Sequence, residues 1–366
     1  MPRYTGGFVT LDEVVPEGKF IDNTASGVWS IQEALMYTKS EIYPHPDNGI
    51  ETNSRALFGG GVNSSGNSMN NIQQLEIGTL GDSTDFGDLT VAIKNTSAGI
   101  ASVTRGIFHG GDMASDRTNI IQYVTIATAG NATDFGDLHV KVAELAGCSN
   151  STRGISAGGI APSNTYEDTI SYITIASTGN VTDFGDLTQS RRELESNVAS
   201  PTRGVFAGGL SGSTTNNVNT MDYITIASTG NATDFGDMNV PTQGHGGCSN
   251  STRGLYFGGV EGGAQQYRNR IEYITIASTG DGTDFGDLTE YSGGSPAYSE
   301  YIDCAGAANS TRAVLSSSNG TAGTHGISYV TIASTGNDAE FGEQSPVRRN
   351  PTGGYGGLSG AHGGIG

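Results

Sequence analysis

A phenylalanine followed by Gly and an acidic residue returns six times along this chain at nearly constant intervals. It stands at Phe86, Phe135, Phe184, Phe235, Phe285 and Phe341, with separations of 49, 49, 51, 50 and 56 residues. A period close to 50 marks a repeat array, in which each unit is one supersecondary element covered by its neighbours. Two further signatures keep a fixed order within the units. "TRG-x-x-x-GG" occurs at Thr104-Arg105-Gly106, Thr152-Arg153-Gly154, Thr202-Arg203-Gly204 and Thr252-Arg253-Gly254, with weaker forms at Ser54-Arg55 and Thr311-Arg312. "YITIAS" is centred on Ile126, Ile175, Ile226, Ile276 and Ile332, with a degenerate "LEIGTL" around Ile77.

One unit reads as four strands. A short small-residue segment such as "GGCSN" comes first and "TRGLYFGG" second. In "YITIAS" the Tyr and two Ile alternate with smaller residues, as in a strand with unlike faces. A Ser-Thr-Gly-Asn turn, whose Gly and Asn tolerate positive φ, leads into "TDFGDL". Four antiparallel strands per period of about 50 residues is the pattern of a β-propeller blade. The expectation is an all-β, six-bladed propeller over residues 49–366. Glycine accounts for 57 of 366 residues, and only 35% of the chain is hydrophobic. Such a composition also suits disorder, but the regular Tyr, Ile and Phe positions argue for short strands and tight turns.

The last residues, "GEQSPVRRNPTGGYGGLSGAHGGIG", align with a first strand, Gly353 to Gly360 standing where "GGCSN" stands elsewhere. Either this tail pairs with the first repeat near Arg55, closing the ring, or Gly49 to Asn53 ("GIETN") supplies that strand and the tail is loose. Closure is favoured because it removes two exposed edges.

Gly208-Gly209 at the end of the second strand, Tyr223 in the third and Phe235 in the fourth, with their analogues elsewhere, resemble the kelch family over roughly residues 50–345. The chain departs from it in carrying Phe in the fourth strand, where kelch repeats usually have Trp. An RCC1-type propeller has a similar period and is the second choice.

With 18 Lys and Arg against 37 Asp and Glu, the formal charge is −19. Phosphate binding needs clustered cations, so no nucleic-acid partner is expected. No apolar run approaches the roughly 18 residues of a membrane span, so no membrane insertion is expected. The opening "MPRYTGGFVTLDEVVPEGKF" lacks a basic segment followed by an apolar core and does not read as a signal peptide. Cys148 and Cys248 occupy matching places in "GCSNSTRG" and Cys304 lies close to the same place. Residues equivalent in separate units lack the Cα proximity a disulfide needs, so all three are expected as buried small residues.

The repeated acids raise the question of chemistry. "GNATDFGD" sets Asp234 and Asp237 three residues apart, but calcium loops supply more ligands over about a dozen residues. A structural role is favoured and no metal is expected; a chelator that lowered the melting temperature would show otherwise. Glycosidases need two carboxylates facing one cleft, which six dispersed copies do not build. The six histidines, His45, His109, His139, His245, His325 and His362, show no ligand spacing. No catalytic residue and no cofactor are expected. Instead each repeat offers an Arg (Arg105, Arg153, Arg203, Arg253) and an acid (Asp134, Asp183, Asp234, Asp284), which predicts Arg–carboxylate contacts around one face. Arg253 would meet Asp234 or Asp237 of the preceding repeat, or Asp284 or Asp287 of its own.

The loops after the Gly-Gly pair diverge ("DMASDRTN", "IAPSNTYEDT", "VEGGAQQYRNR"), as do the segments after the fourth strand ("TQSRRELES", "NVPTQGHGG"). In a kelch-like blade both sets open on the face opposite the repeated turns, and function sits on variable loops held by a rigid scaffold. The candidate binding residues there are Tyr166, Arg191, Arg192, Tyr267, Arg268, Arg270, Tyr291, Tyr298 and Tyr301. Exposed Tyr with Asn, Ser and Gly suits protein or glycan contact.

Residues 1–48 do not repeat. "SGVWSIQEALMYTKSEIYP" holds the single Trp; Ser30 and Glu33 fit a capping box, and Ile31, Ala34, Leu35 and Thr38 give one apolar-leaning face. Pro44 and Pro46 end it. So short a helix is not stable alone, so it is read as an anchor, with Trp29, Ile31 and Leu35 as docking residues. Gly27, Trp29, Ser30, Ile31, Glu33 and Tyr43-Pro44 resemble a segment of virion proteins of tailed phages, particularly tail-fibre and other structural proteins of marine cyanophages. The "TRG…YITIAS…FGD" repeats are similar to those of such proteins as well. The resemblance implies a virion structural protein assembled in the host cytoplasm, with other virion proteins and a host surface glycan or protein as partners. The rival readings are a cellular kelch-type interaction module and, third, a carbohydrate-active enzyme.

Overall fold

Among the described residues, repeats two to six each fold as a four-stranded antiparallel meander and the first contributes three strands to a composite sheet, giving six four-stranded sheets numbered 1 to 6. The computed structural model describes residues 54–63, 65–96, 99–194, 198–211, 216–262, 266–289, 304–316, 326–344 and 356–365, all within the unit Thr52–Gly366. The expected helix with Trp29, Ile31 and Leu35 lies outside the described residues, as do Tyr291, Tyr298 and Tyr301. No α-helix occurs among the described residues.

Sheet 2 comprises Ile100–Ala101, Arg105–His109, Ile120–Thr125 and Thr133–Asp137; sheet 3 comprises Ala146–Ser149, Arg153–Ala157, Thr169–Thr174 and Thr182–Asp186. Sheet 4 has Val198–Ala199, Arg203–Ala207, Thr220–Thr225 and Thr233–Asp237, and sheet 5 has Gly246–Ser249, Arg253–Phe257, Arg270–Thr275 and Thr283–Asp287. Sheet 6 runs Ala305–Ala308, Arg312–Ser316, Gly326–Thr331 and Ala339–Glu343. Sheet 1 is composite. Its strands Arg55–Gly59, Met69–Glu76 and Thr84–Ile93 take their first-strand partner from Gly356–Ser359, with Ala56 opposite Ser359 and Leu57 opposite Leu358. The residues that follow the sixth repeat therefore supply the strand.

The third strands show why the sheets cannot stand alone. In sheet 2, Ile121 and Tyr123 pack with Phe135 against Ile173 and Ile175 of sheet 3. Val124 and Ile126 point the other way, against Leu57, Ile72 and Phe86 of sheet 1. Both faces of the strand are buried, because a side-chain period of two sends alternate residues to opposite neighbours. Similar clusters join sheets 3 and 4, sheets 4 and 5, sheets 5 and 6, and sheets 6 and 1. The six sheets thus contact one another in a closed cyclic order. Each large apolar side chain buried there contributes about 1.5–3 kcal/mol.

Small residues mark the first strands. A Cβ on Gly306 would lie 2.7 Å from the Gly247 carbonyl oxygen, and one on Gly357 would lie 2.6 Å from that of Gly306. At these glycines the first strands of sheets 5, 6 and 1 approach backbone to backbone, which leaves no room for a side chain. Beyond Ser359 the chain crosses the ends of these strands. His362 Nε2 donates to the Ala101 carbonyl (3.0 Å), its Nδ1 accepts from Gly364 N (3.0 Å), and Gly363 N donates to Ser249 O (2.8 Å).

The repeated phrase holds neighbouring sheets together. Gly136 of "TDFGD" (φ 151°) faces Gly179 of the next "STGN" so closely that a Cβ would sit 2.3 Å from the Gly179 oxygen. Gly179 N donates to Phe135 O at 2.8 Å, and Asn180 Oδ1 accepts from Asp137 N at 3.0 Å. The same backbone bond recurs between every successive pair, ending with Gly81 N to Phe341 O, 3.1 Å, which closes the cycle. The Asp backbone, not its carboxylate, makes this contact.

The expected Arg–Asp contacts are replaced by another clasp. Arg105 Nη1 donates to Ile175 O (2.9 Å), Arg153 to Ile226 O (2.9 Å), Arg203 to Ile276 O (2.9 Å) and Arg253 to Ile332 O (2.7 Å). Arg55 reaches Ile126 O (2.7 Å) and Arg312 reaches Ile77 O (2.9 Å), completing the circuit. Each guanidinium in sheets 2 to 6 also lies 4.3–4.5 Å from the centroid of its own third-strand Tyr. Asp134, Asp183, Asp234 and Asp284 point into solvent on the outermost strands. A half-buried guanidinium gains more from an unpaired carbonyl and an aromatic face than from a carboxylate that water already solvates. Charges on these outer strands also keep the sheet edges from pairing with other chains. Cys148, Cys248 and Cys304 are buried as expected, and burial pushes the Cys148 thiol up to about 12.

The clasp predicts a contrast. Arg153→Ala removes a charge-assisted hydrogen bond and a cation–π contact and is expected to cost about 2–4 kcal/mol. Asp183→Ala is expected to stay within about 0.5 kcal/mol of wild type. Urea denaturation of the two variants measures both; equal losses would restore the ion-pair account.

Candidate functional site

The opposite end of the sheets begins at the Gly-Gly pairs. Gly158 and Gly159 have φ of 67° and 102°, and Gly159 N donates to Arg191 O at 2.8 Å. Gly111 and Gly209 bond in the same way to Val142 O and Thr242 O. The pair therefore turns the chain out of the second strand and fastens it to the segment leaving the fourth. The divergent loops then form small sheets of their own. Leu210–Ser211 pairs with Asn216–Asn217 on one side and Arg191–Arg192 on the other. Val260–Glu261 pairs in the same manner with Gln266–Tyr267 and Thr242–Gln243. Ile160–Ala161 pairs with Thr165–Tyr166, and Ala143 bridges to Ile160. Both divergent loop sets thus lie at one end of the sheets and are ordered against each other.

Within this layer an arc of left-handed residues recurs at Asn95, Glu144, Glu193 and Gly244, with φ of 50°, 59°, 57° and 59°. Glu144 N donates to Asn95 O (3.2 Å), Glu193 N to Glu144 O (3.0 Å) and Gly244 N to Glu193 O (3.2 Å). Arg192 lies across the arc. Its Nη1 meets Glu144 Oε2 at 2.8 Å and Glu193 Oε1 at 3.3 Å, and its Nε donates to the Tyr166 hydroxyl at 3.0 Å. The guanidinium also sits 5.3 Å from the Tyr166 ring centroid. Burial raises the Glu144 carboxyl above its ordinary pKa, opposed by the Arg192 charge. Beside them Asn95 Nδ2 donates to Asp112 (2.8 Å), and Arg117 approaches the same carboxylate at 3.5 Å.

Of the residues expected to form a binding surface, Tyr166 and Arg192 are brought together here. Arg268 pairs with Glu261, and Arg270 with Glu272 at 3.1 Å, both Arg side chains remaining partly exposed. Tyr267 belongs to the strand Gln266–Tyr267 of the neighbouring small sheet.

Arg191 corrects the expectation, because it is fully buried. Its Nη1 donates to Gly208 O (2.7 Å) and Thr220 O (2.8 Å), and its Nη2 lies 2.5 Å from Asp222 Oδ2. Thr188 Oγ1 donates to the other Asp222 oxygen at 2.6 Å. Behind this pair His245 and Tyr256 meet edge to face with centroids 5.6 Å apart. Both His245 ring nitrogens, the Tyr256 hydroxyl and Arg191 Nε are buried without a protein partner. Burial, and then the Arg191 charge, push His245 down to about 4.

Asp222 exemplifies a position that sequence reasoning passed over. The residue before the third-strand Tyr is polar and buried in every repeat: Gln73 (before Gln74), Gln122, Ser171, Asp222, Glu272 and Ser328. Four of these meet the residue two places after the acid of the preceding repeat's "FGD". Gln122 Oε1 accepts from Thr90 N (2.6 Å), Ser171 Oγ lies 3.2 Å from His139 Nδ1, and Glu272 Oε2 accepts from Asn239 N (3.2 Å), as Asp222 accepts from Thr188. The signal was present: one polar residue between two apolar ones in a strand buried on both faces needs a partner. Among the described residues no group of three His, Cys, Asp or Glu side chains could hold a metal ion. No family model matches the chain, and a search of curated proteins gave no match.

Two outcomes follow from the buried cluster. Asp222→Ala leaves the Arg191 charge unpaired in the interior and is expected to cost about 3–5 kcal/mol in chemical denaturation. The second concerns pH. The folded-state pKa of His245 lies below its unfolded value, so the unfolded chain takes up the proton first. Its contribution is intact above about pH 6.5 and is lost as pH falls to about 4, on the order of 3 kcal/mol in all. His245→Leu, which copies Leu145 and Leu194 at the equivalent places, is expected to flatten stability across that window. His109, pushed to about 3 by burial, acts in both proteins, so the difference between their pH–stability curves is the measurement.

Proposed function

We propose that the six sheets form a six-bladed, kelch-like β-propeller, and that the protein is a virion structural component of a tailed phage, tail-fibre or tail-associated in type. The observation that carries the scaffold reading is the closed cyclic order of six sheets, in which apolar clusters, guanidinium–carbonyl bonds and glycine contacts all return from sheet 6 to sheet 1. Repeated clasps occupy one end of the sheets, and divergent, ordered hairpins occupy the other. This division suits a rigid platform that presents variable contacts to a partner. In this reading the hairpin end mediates host adsorption or contact with neighbouring subunits, Tyr166 and Arg192 forming part of it. Residues 1–48 dock to the particle.

The phage assignment rests on the resemblance of Gly27 to Pro44 and of the repeats to virion proteins. It is tested by mass spectrometry of particles purified from an infected culture. The expected result is the protein at stoichiometric level, and its loss from particles when residues 1–48 are deleted while the circular dichroism of the remainder is unchanged. Its absence from washed particles would overturn the reading.

A further inference from the structure

Five repeats build the same triad of guanidinium, Tyr and Phe. Arg105 lies 4.5 Å from the Tyr123 centroid, and Tyr123 meets Phe135 edge to face at 5.9 Å. Arg203, Tyr223 and Phe235 repeat this at 4.3 and 6.0 Å, and Arg312, Tyr329 and Phe341 at 4.5 and 6.1 Å. The guanidinium of the sixth repeat also lies 6.0 Å from the Phe341 centroid, so the three groups form a compact triangle in which the Tyr ring meets both the cation and the Phe.

The first repeat departs from this pattern twice. Gln74 opposes Leu57 in the register where Tyr123 opposes Ile107, so an amide stands in place of the ring. Arg55 keeps its bond to Ile126 O at 2.7 Å, and its guanidinium lies 5.9 Å from the Phe86 centroid. Gln74 turns its amide to the neighbouring strand, Nε2 donating to Asp85 O at 3.1 Å. Beside it opens a pocket of about 370 Å³ whose lining includes Arg55, Gln74, Glu76, Leu80, Asp82 and Thr84. That volume falls within the range of small-ligand sites, about 300–1,000 Å³. The second departure is Leu80, which stands where the other turns carry Ala129, Thr178, Thr229, Thr279 and Thr335. It is 59% exposed, an isolated large apolar side chain on the lining of the pocket.

We infer that the first repeat is a binding site for an aromatic ring of phenol type, supplied by a free aromatic molecule or by a tyrosine side chain of a partner. The five intact triads show which group this environment accepts: a phenol ring with a guanidinium over it and a phenyl ring in T-shaped contact beside it. The cation supplies the attraction for the ring face, Leu80 supplies apolar contact at the entrance, and the Asp82 carboxylate supplies an acceptor for a phenolic hydroxyl.

The test is ligand-detected NMR on the full chain with p-cresol, its saturated analogue 4-methylcyclohexanol, and the capped peptide Gly-Tyr-Gly. Saturable binding of p-cresol is expected, with 4-methylcyclohexanol at least about tenfold weaker, a margin of about 1.4 kcal/mol. Gln74→Tyr restores the internal ring; it should abolish p-cresol binding and raise the melting temperature. Gln74→Phe fills the same space and provides a second readout should the Tyr variant fold poorly. Arg55→Lys keeps the charge but loses the planar face, and weaker binding is expected. Tighter binding of the peptide than of p-cresol would identify a polypeptide partner, and the reverse a free aromatic. Equal binding of the saturated analogue, unchanged binding in both Gln74 variants, or no binding to wild type would overturn the inference.

Discussion

Six guanidinium groups, each held between its own sheet and the carbonyl of the Ile that follows the next sheet's third strand, are the contact on which the arrangement turns. Arg is suited to this because its plane can stack on a ring while its N–H groups donate in that plane. Lysine, a point charge on a flexible stem, cannot do both. The contact fixes the spacing and angle of adjacent sheets at one end, and the glycine-to-glycine approach beside it tolerates no added Cβ. The apolar clusters between sheets are larger in energy but less directional, since hydrophobic burial alone does not specify register. The guanidinium layer and the turn glycines supply the register.

The repeats account for what could be read in advance. Phe spacing, the alternation in "YITIAS" and the Gly-Gly pairs led to four-stranded antiparallel units, and the alignment of Gly353 to Gly360 with a first strand anticipated the composite sheet. Pairing Arg with Asp went astray for a definable reason. Charge complementarity is visible in a sequence, whereas a main-chain carbonyl left without a partner at a strand end is not. Arg191 misled in a similar way: it stands in a divergent, polar segment that reads as surface, and its burial follows from Asp222, 31 residues further along the chain in sheet 4. The polar residue ahead of each third-strand Tyr was the available clue, because a strand covered on both sides cannot hide an Asp or Glu without a donor.

The two ends of the sheets therefore differ in the kind of interaction that orders them. At one end identical backbone contacts recur with little dependence on side-chain identity beyond Arg, Gly and a turn Asn or Asp. At the other, each junction uses its own polar pair: Gln122 with Thr90, Ser171 with His139, Asp222 with Arg191 and Thr188, Glu272 with Asn239 and Arg270. The hairpins can change in length and composition while the junction beneath them stays anchored. Arg192, bridging Glu144 and Glu193 under Tyr166, shows how such a junction can present an aromatic side chain without leaving it loose.

The composite first sheet also sets a kinetic condition. Its strand Arg55–Gly59 is pinned to Gly356–Ser359, about 300 residues away in the chain, whereas the other five sheets are local meanders. Local meanders form early, but a pairing of that sequence separation bears nearly the full loop-closure cost and comes last. During synthesis the first repeat emerges long before its partner and waits with one edge unpaired, while sheets 2 to 5 assemble beside it. Completion is thus a single late event that converts an open stack into a cycle, and until then the chain is open to strand exchange with another copy.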